Sequence, residues 1–347
     1  MRSIDVAGLR VSNNSIEILD QQLIPAEERW LTVESPEQMV EYIKALKVRG
    51  APIIALSAAV TLAQYSEHVF NTSATERDKI RRIKEAASLL KNARPTAVNL
   101  SHAMDAMMQV PDQKWQNGAL WQLAIEICKE DASLCDRIAE NGLALLPRSG
   151  RCLTICNTGR IATGGLGTAL GIFYKAHELG MPVEVFACET RPLLQGGRLT
   201  AWELKKFGVP CTLLVDSAAG ALMQSGKVDA VFIGADRIAR NGDTANKIGS
   251  YSLAVLANHH GIPFYVVAPY TTVDPGCIDG SHIEIEQRHV NEVRGVQGSF
   301  GSVFWAPEDI AAYNPAFDVT PSSLITGIVL DTGYFDKVAI KAGKHLA

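Results

Sequence analysis

The sequence predicts an α/β protein with a parallel sheet in its carboxyl-terminal half and a smaller, largely helical amino-terminal part. From Arg151 onward, short and uniformly apolar segments alternate with helical segments, which is typical of a parallel sheet covered on both faces. Amphipathic helical segments dominate before that point. With 347 residues, the chain is also long for one domain and is expected to form two.

Composition excludes several functional classes. Hydrophobic residues make up 47% of the chain and charged residues 20%, as in ordinary globular enzymes. A net charge of −4 and the lack of any basic run argue against nucleic-acid or membrane-surface binding. The amino-terminus lacks the apolar core of a signal peptide, and the seven scattered cysteines form no Cys-x-x-Cys pair. We therefore expect a cytoplasmic protein with reduced thiols, no membrane segment and no metal site.

The amino-terminal domain, predicted over residues 1–112, begins with strands. Residues 15–20 and 29–33 alternate apolar and polar side chains, which indicates half-buried strands. Ser35 followed by Pro36 is a helix start, and an amphipathic helix is predicted to about Val48. Further helices are predicted over residues 51–64 and 74–92. The longest helical stretch, residues 113–146, is predicted to connect the domains over residues 113–148.

The carboxyl-terminal domain, predicted over residues 149–347, is expected to contain five buried strands and the helices between them. The strands are predicted over residues 152–156, 183–188, 212–215, 230–234 and 264–268. The helices are predicted over residues 165–179, 199–207, 217–225 and 247–259, with a short closing helix at 322–329. Ligands bind at the carboxyl ends of strands in such sheets, so the loops that follow the strands are the candidate site.

The turn Ile155–Gly159 follows the first of these strands and carries Cys156. A glycine-rich helix start, predicted from Gly165, would place positive charge beside this thiol and favour its thiolate form. Asp236 follows the fourth strand at an equivalent position. A thiol and a carboxylate that face one pocket are a candidate acid/base pair, with burial of Asp236 raising its pKa.

Three further segments are candidate anion sites. Arg49-Gly50-Ala51 places a guanidinium and backbone N–H groups at a helix start, and Arg94 precedes a proline-led helix. Asn246 and Lys247 are predicted to begin the helix after the Asp236 loop. Each candidate has an ordinary structural alternative: Cys156 as a small core residue, Asp236 as a cap or partner of Arg237, and the arginines as helix-end residues.

A dinucleotide-binding fold is the main alternative enzyme. Gly165, Gly167 and Gly171 resemble a variant of its glycine fingerprint, and Glu189 ends the next strand where a ribose-binding acid would lie. In that fingerprint, however, the glycines follow the first strand directly. Here several residues separate them from Cys156, so a dehydrogenase is disfavoured.

Seven segments in the same order resemble the methylthioribose-1-phosphate isomerase family. They are Arg49-Gly50-Ala51-Pro52, residues 94–100, Cys156-Asn157-Thr158-Gly159, residues 189–196, Gly234-Ala235-Asp236-Arg237, residues 241–247 and residues 314–321. The resemblance implies a Rossmann-like carboxyl-terminal domain, an amino-terminal domain of helices with a small antiparallel sheet, and a homodimer. It also implies an aldose-to-ketose 1-phosphate isomerase of methionine salvage that uses no cofactor and no metal.

By this resemblance, Asp236 is the proton donor and Cys156 stabilises the transition state or relays a proton. Arg49, Gly50, Ala51, Arg94, Gln195, Asn246 and Lys247 would bind the phosphate and the sugar hydroxyls. Arg240 and residues 101–104 depart from the family pattern and leave 5-deoxyribose 1-phosphate open as the substrate. A regulatory subunit of the translation-initiation exchange factor shares the fold and is the non-catalytic alternative, but it lacks the paired cysteine and aspartate.

Overall fold

The computed structural model describes residues 3–12, 15–94, 97–298 and 301–346, and it separates into two compact units. The amino-terminal unit comprises Met1–Leu23, Glu27–Ser133 and Arg160–Gly165. The carboxyl-terminal unit comprises Ile24–Ala26, Leu134–Gly159 and Leu166–Ala347. Within the described residues, no helix is long and apolar enough to cross a membrane.

The amino-terminal unit contains a four-stranded antiparallel meander among its described residues, which agrees with the two strands predicted over residues 15–20 and 29–33. The strands are β1 Ile4–Val6, β2 Leu9–Ser12, β3 Ser15–Leu19 and β4 Trp30–Val33. Alternate side chains, including Ile16, Ile18 and Val33, are buried in the core of this unit. The period-two pattern therefore identified the correct buried face.

The helices of this unit pack on the same core. They are α1 Pro36–Lys44, α2 Ala51–Phe70, α3 Glu76–Lys91, α4 Val98–Gln109 and the first part of α5 Ala119–Leu143. Ser35 caps α1 as predicted, because its side chain accepts a hydrogen bond from the N–H of Gln38 at 3.2 Å. Most residues of α2 are buried, which is typical of a helix at the centre of a domain.

The single helix predicted over residues 113–146 is wrong at its start. Asp112–Asn117 form a 3₁₀ helix, and Gly118 with φ of 77° separates it from α5. A left-handed residue of this kind ends a helix, and glycine adopts it without a steric penalty. The helical periodicity continues across Gly118, so the break was hidden in the sequence pattern.

The carboxyl-terminal unit contains a sheet of seven described strands. These strands are β5 Arg151–Thr154, β6 Glu184–Cys188, β7 Cys211–Leu214, β8 Ala230–Ile233, β11 Phe264–Val267, β16 Gly327–Leu330 and β17 Gly333–Asp336. Their order across the sheet is β7-β6-β5-β8-β11-β16-β17. All neighbouring pairs are parallel except β16 with β17. The five predicted strands are present, but the short helix predicted at 322–329 is only a 3₁₀ turn, Ser322–Leu324, and residues 327–329 belong to β16.

Both faces of this sheet are buried at its central strands, β5, β8, β11 and β16. Leu153, Val231 and Val266 pack with residues of α8 Ala219–Gln224 and α9 Ser250–His259. The alternate residues Cys152 and Phe232 pack with residues of α6 Ala169–Glu178 and α7 Ala201–Lys206. The uniformly apolar strands thus reflect two covered faces, as expected.

Smaller elements accompany the main sheet. The further strands are β9 Arg237–Ala239, β10 Thr244–Lys247, β12 Val273–Asp274, β13 Gly295–Gly298, β14 Gly301–Phe304 and β15 Phe317–Thr320, and the further helices are α10 Asn291–Arg294 and α11 Lys337–Lys341. A second sheet has the order β12-β9-β10-β15, and β13 pairs with β14 as a hairpin. This second sheet was not predicted, because its strands are short and largely polar.

Asp131 on α5 is a buried carboxyl group of the amino-terminal unit. It is 9% exposed, and its side chain accepts a hydrogen bond from the N–H of Gly164 at 2.6 Å. Burial raises the pKa of Asp131 to about 6, although the Gly164 bond opposes this change. The folded state therefore holds a proton that the unfolded chain releases between pH 3.8 and about 6, so this group makes the protein less stable as the pH rises through that interval.

We predict that Asp131→Asn removes this pH dependence, because the amide oxygen still accepts the Gly164 bond but carries no charge. Relative to the wild type, the variant should gain about 2 kcal/mol in free energy of unfolding between pH 4 and pH 7, since one unit of pKa is about 1.4 kcal/mol and part of the change already lies below pH 4. Urea unfolding at each pH measures the difference. Asp309→Asn, at an exposed site, is the control; parallel profiles for wild type and Asp131→Asn would contradict the prediction.

Candidate functional site

The carboxyl edge of the main sheet has a point at which the strand order reverses. The chain runs from β5 outward through β6 and β7, then returns to β8 on the other side of β5 and continues outward. The ladder pairs Cys152 with both Val185 of β6 and Ala230 of β8. Ligands bind in the crevice at such a reversal. The loops after β5, β6 and β8 carry Cys156, Gln195 and Asp236, so three predicted site residues follow three adjacent strands.

Cys156 has a left-handed backbone with φ of 65°, which is uncommon for a residue with a side chain. Its N–H donates to the hydroxyl of Thr190 at 2.8 Å, and its carbonyl accepts from the hydroxyl of Thr200. Its side chain is partly exposed, unlike those of the buried Cys152 and Cys188. Cys156 is therefore not the small core residue that the alternative interpretation required.

The helix predicted over residues 165–179 is present as α6, but its predicted start at Gly165 is wrong. Arg160–Ala162 form a short 3₁₀ turn, and α6 begins only at Ala169. Cys156 therefore precedes no α-helix directly, and the predicted helix charge beside its thiol is absent from this part of the described chain. Gly167 has φ of 98°, and a Cβ there would lie 2.4 Å from the carbonyl of Thr158, so the glycines permit a tight loop and do not begin a helix.

Asn157, the next residue of the turn, is fixed by two side-chain hydrogen bonds. Its side-chain amide donates to the carboxylate of Glu203 at 2.6 Å and to the hydroxyl of Thr200 at 3.3 Å. Glu203 on α7 is fully buried, and a Cβ on Gly159 would lie 2.3 Å from its Oε2. The buried carboxylate thus packs directly against the turn that carries Cys156.

The loops after β5 and β8 are in contact. A Cβ on Gly234 would lie 2.5 Å from Cγ2 of Thr158. Gly234 lies two positions before Asp236, whose N–H donates to the carbonyl of Ala245 at 2.9 Å. The Asp236 loop is thus supported by the Thr158 side chain on one side and by β10 on the other.

The expectation that Asp236 is buried is wrong, because the structure leaves it exposed. It lies between the end of β8 and the start of β9, where the backbone leaves the main sheet. Arg237, its suggested partner, pairs with Asp274 at 3.7 Å. The carboxyl group of Asp236 is therefore accessible to solvent in the free protein.

Gln195 is held at the start of an irregular helix in the loop after β6. It is 4% exposed, and its Oε1 has no hydrogen-bond partner among the described residues. Gly196–Thr200 form a π-helical turn that continues into α7, and a Cβ on Gly196 would lie 1.7 Å from the carbonyl of Cys188. A buried acceptor without a donor is costly unless a ligand supplies one.

Asn246 and Lys247 lie in β10 and do not begin a helix as predicted. The Asn246 amide donates to the hydroxyl of Ser250 at 2.8 Å, and the Lys247 ammonium donates to the carbonyl of Ala316 at 2.8 Å. Both side chains are buried, and Lys247 also lies 4.5 Å from the ring centre of Phe317. The pattern of residues 247–259 suits a helix, but pairing of β10 with β15 delays the helix until Ser250.

Asp318 connects this strand pair to α9. Its carboxylate accepts from the N–H groups of Gly249 at 2.7 Å and Tyr251 at 3.0 Å. Burial raises the pKa of Asp318 to about 6, while these two bonds and Lys247 act in the opposite direction. The carboxylate therefore fixes the first turn of α9 next to the strand that carries Asn246 and Lys247.

The other predicted binding residues belong to the amino-terminal unit. Arg49 donates to Gln21 at 3.2 Å, and Gly50 has φ of 116° immediately before α2, which begins at Ala51. A Cβ on Gly50 would lie 2.8 Å from the Cβ of Ala162, so only glycine suits this turn. Arg94 is half-buried. Pro95 and Thr96, which belong to the same predicted motif, lie outside the described residues.

Sequence reasoning missed Thr190, Thr200 and Glu203. Thr190 was visible only as one polar residue in a polar loop. Glu203 lies in a helix with two lysines and a tryptophan, where an acidic residue is expected to be solvated. Their function depends on bonds between residues distant in sequence, for which the chain carries no local signal.

Gly234→Ala tests the contact between the loops after β5 and β8. We predict that it destabilises the protein by about 1–3 kcal/mol, because the added methyl group overlaps Thr158. Gly171→Ala in α6 is the control, since its Cβ would meet ordinary contacts at 3.5 Å and alanine favours a helix. Thermal unfolding measures both variants, and a Gly234→Ala protein as stable as the wild type would contradict the contact.

Comparisons with known proteins agree on the family. The Initiation factor 2 subunit family matches residues 47–337. The chain is 53% identical to the methylthioribose-1-phosphate isomerase of Cronobacter sakazakii, with 96% of each chain covered. It is 52% identical to that of Klebsiella pneumoniae, over 99% of this chain and 98% of the relative.

Solved structures give the same result. The 5-methylthioribose 1-phosphate isomerase of Pyrococcus horikoshii OT3 is 39% identical, with a TM-score of 0.88 and coverage of 98% of this chain and 96% of that one. The translation initiation factor eIF-2B, subunit delta, from A. fulgidus is 35% identical, with a TM-score of 0.85 and 99% of both chains covered. The mixed α/β fold predicted from the sequence is thereby confirmed, and this chain belongs to the methylthioribose-1-phosphate isomerase family.

Proposed function

We propose that this chain converts 5-methylthioribose 1-phosphate to 5-methylthioribulose 1-phosphate, the aldose–ketose step of methionine salvage. The observation that carries the proposal is that Cys156 and Asp236 follow adjacent strands at the reversal of the sheet, on loops that touch through Thr158 and Gly234. The names of its relatives support this reaction.

The substrate explains why a thiol and a carboxyl group are needed together. A phosphate on C1 locks the sugar as a ring, so the ring oxygen must be protonated before the chain can open. Asp236 is the proposed acid. Because it is exposed in the free protein, the bound sugar must remove water from it and raise its pKa.

Hydrogen must then move from C2 to C1. In one route Cys156 relays a proton through an enolate-like state, and in the other hydride shifts directly while the thiol stabilises the transition state. Substrate deuterated at C2 distinguishes the two routes, because a hydride shift retains the label at C1 and proton exchange releases it to water.

We also propose the residues that bind the substrate. The Oε1 of Gln195, which is buried and has no partner among the described residues, is suited to accept from a sugar hydroxyl. Asn246 and Lys247 supply donors from β10. Arg49 with the amides of Gly50 and Ala51, and Arg94, supply the charge and N–H groups that a phosphate needs. These assignments rest on the family resemblance and on the local geometry of each residue.

We also propose a Rossmann-like domain, the domain boundaries and an assembly. The strand order around β5 and β8 supports a Rossmann-like domain, with the domains over residues 1–112, 113–148 and 149–347. A cytoplasmic homodimer is proposed as well. Its interface is supported by exposed apolar side chains at the edge strand β7, Leu213 and Val215, and near the β13–β14 hairpin, Phe304 and Trp305.

Two other functions stay open to test. The protein could prefer 5-deoxyribose 1-phosphate, because Arg240 and residues 101–104 depart from the family pattern. It could be a regulatory homologue, since the eIF-2B subunit delta structure is similar over its full length. The presence of both Cys156 and Asp236 favours an enzyme.

Steady-state kinetics with both sugar phosphates test the proposal. We expect kcat/KM for 5-methylthioribose 1-phosphate to exceed that for 5-deoxyribose 1-phosphate by about 10-fold or more, because the methylthio group adds apolar surface for binding. A reversed preference would assign the other substrate. No turnover of either sugar by folded protein would reject the isomerase.

Asp236→Asn tests the acid. We expect kcat to fall by about 100-fold or more with KM nearly unchanged, because the amide keeps the size of the side chain but donates no acidic proton. Asp274→Asn, which alters the neighbouring Arg237 pair, is the control and should change kcat little. An unchanged kcat in Asp236→Asn would remove this residue from the mechanism.

Light scattering tests the homodimer. The wild type should have the mass of two chains, and Trp305→Glu should shift it towards one chain, because a charge in an apolar interface is costly to desolvate. Tyr313→Glu, another exposed aromatic position, is the comparison. A monomeric wild type would contradict the proposed assembly.

A further inference from the structure

The peptide groups on both sides of the Cys156 Cα are bonded to buried side chains of one loop. The N–H is held by Thr190, and the carbonyl by Thr200. Both threonines are fully buried, and both belong to the segment between β6 and α7 that also carries Gln195. No other segment makes two such bonds to this residue among the hydrogen bonds of the described residues.

The two hydroxyls are themselves oriented by further bonds. Thr190 donates its proton to the carbonyl of Cys188 at 3.0 Å, which leaves its oxygen able to accept from Cys156. Thr200 donates to the carbonyl of Cys156, and its oxygen accepts from Asn157 at 3.3 Å. Each hydroxyl is therefore used as donor and acceptor at once, and a side chain of the same shape without a hydroxyl cannot replace it.

The backbone of Cys156 requires such support. A residue with a side chain is disfavoured in the left-handed region, and it persists there only where the surroundings determine it. Thr190 is itself left-handed, with φ of 68°, and its N–H donates to Asp216 at 2.8 Å. The buried hydroxyl groups of Thr190 and Thr200 thus hold the backbone of Cys156, and the carboxylate of Asp216 in turn holds the backbone of Thr190.

We propose that Thr190 and Thr200 are positioning residues, which hold the Cys156 thiol in its working position through its own backbone. The inference rests on the proposed function for its effect on turnover, but the position of the thiol can be measured without turnover. Neither threonine needs to touch the substrate for this role. Their hydroxyls act by restricting one residue, so that little reorganisation is left for the reaction step.

Thr200→Val tests the inference, because valine keeps the shape of threonine and removes the hydroxyl. We expect kcat to fall by about 10- to 100-fold while KM changes by less than about threefold. Alkylation of Cys156 by iodoacetamide, followed by mass spectrometry, should become at least about threefold faster because the turn is released. Thr190→Val should have the same two effects.

Three controls separate positioning from general destabilisation. Thr200→Ser keeps the hydroxyl and should restore both kcat and the alkylation rate. Thr61→Val removes an equally buried hydroxyl, which bonds to the Ser57 carbonyl at 2.7 Å in α2, and should lower stability without either effect. Thr200→Ala leaves room for a water molecule and serves if the valine variant does not fold.

The alkylation rate and kcat together show whether a failure concerns the positioning role or the proposed isomerase activity. Faster alkylation in Thr200→Val with no isomerase activity in any protein supports positioning and rejects the isomerase. Wild-type alkylation and kcat in Thr200→Val and Thr190→Val, or equal losses in Thr61→Val, would overturn the positioning role. A Thr200→Ser protein that behaves like Thr200→Val would overturn it as well.

Discussion

Strand β5 pairs with β6 on one side and with β8 on the other, and this pairing determines where the candidate site lies. It fixes three loops at one edge of the sheet. Their close approach then dictates residue types. Gly234 leaves space for Thr158, and Gly196 leaves space for the Cys188 carbonyl. Glycine is needed at these points because any Cβ would overlap a neighbour, and backbone freedom is secondary there.

Several features at this edge of the sheet are unfavourable in free energy in the free protein, and substrate binding can compensate for them. Cys156 and Thr190 have left-handed backbones, and the buried Oε1 of Gln195 has no partner among the described residues. Asp236, in contrast, is exposed, and a bound sugar would displace its water. Such unfavourable features collect at functional sites, where a ligand supplies the missing hydrogen bonds. The substrate would therefore complete the site as well as occupy it.

Local patterns predicted the elements better than the junctions between them. The apolar strands β5, β6, β7, β8 and β11 were predicted because they are short, largely apolar and flanked by helices. The starts of α6 and α9 were wrong, because glycine spacing and apolar periodicity resemble a helix where tight loops or strand pairing intervene. The placement of Cys156 and Asp236 just after strand ends could be predicted, because the strands before them are recognisable in the sequence. Thr190, Thr200 and Glu203 could not, since only tertiary hydrogen bonds define their role.

We propose that one thiol and one carboxyl group act on the same sugar. A crystal structure of the Asp236→Asn variant with 5-methylthioribose 1-phosphate can show whether they do, because the sugar is trapped before reaction. We expect the introduced amide to lie within hydrogen-bond reach of the ring oxygen, about 3 Å, and the Cys156 sulfur to contact C1 or C2. A sugar bound with either side chain in a separate cavity would contradict it.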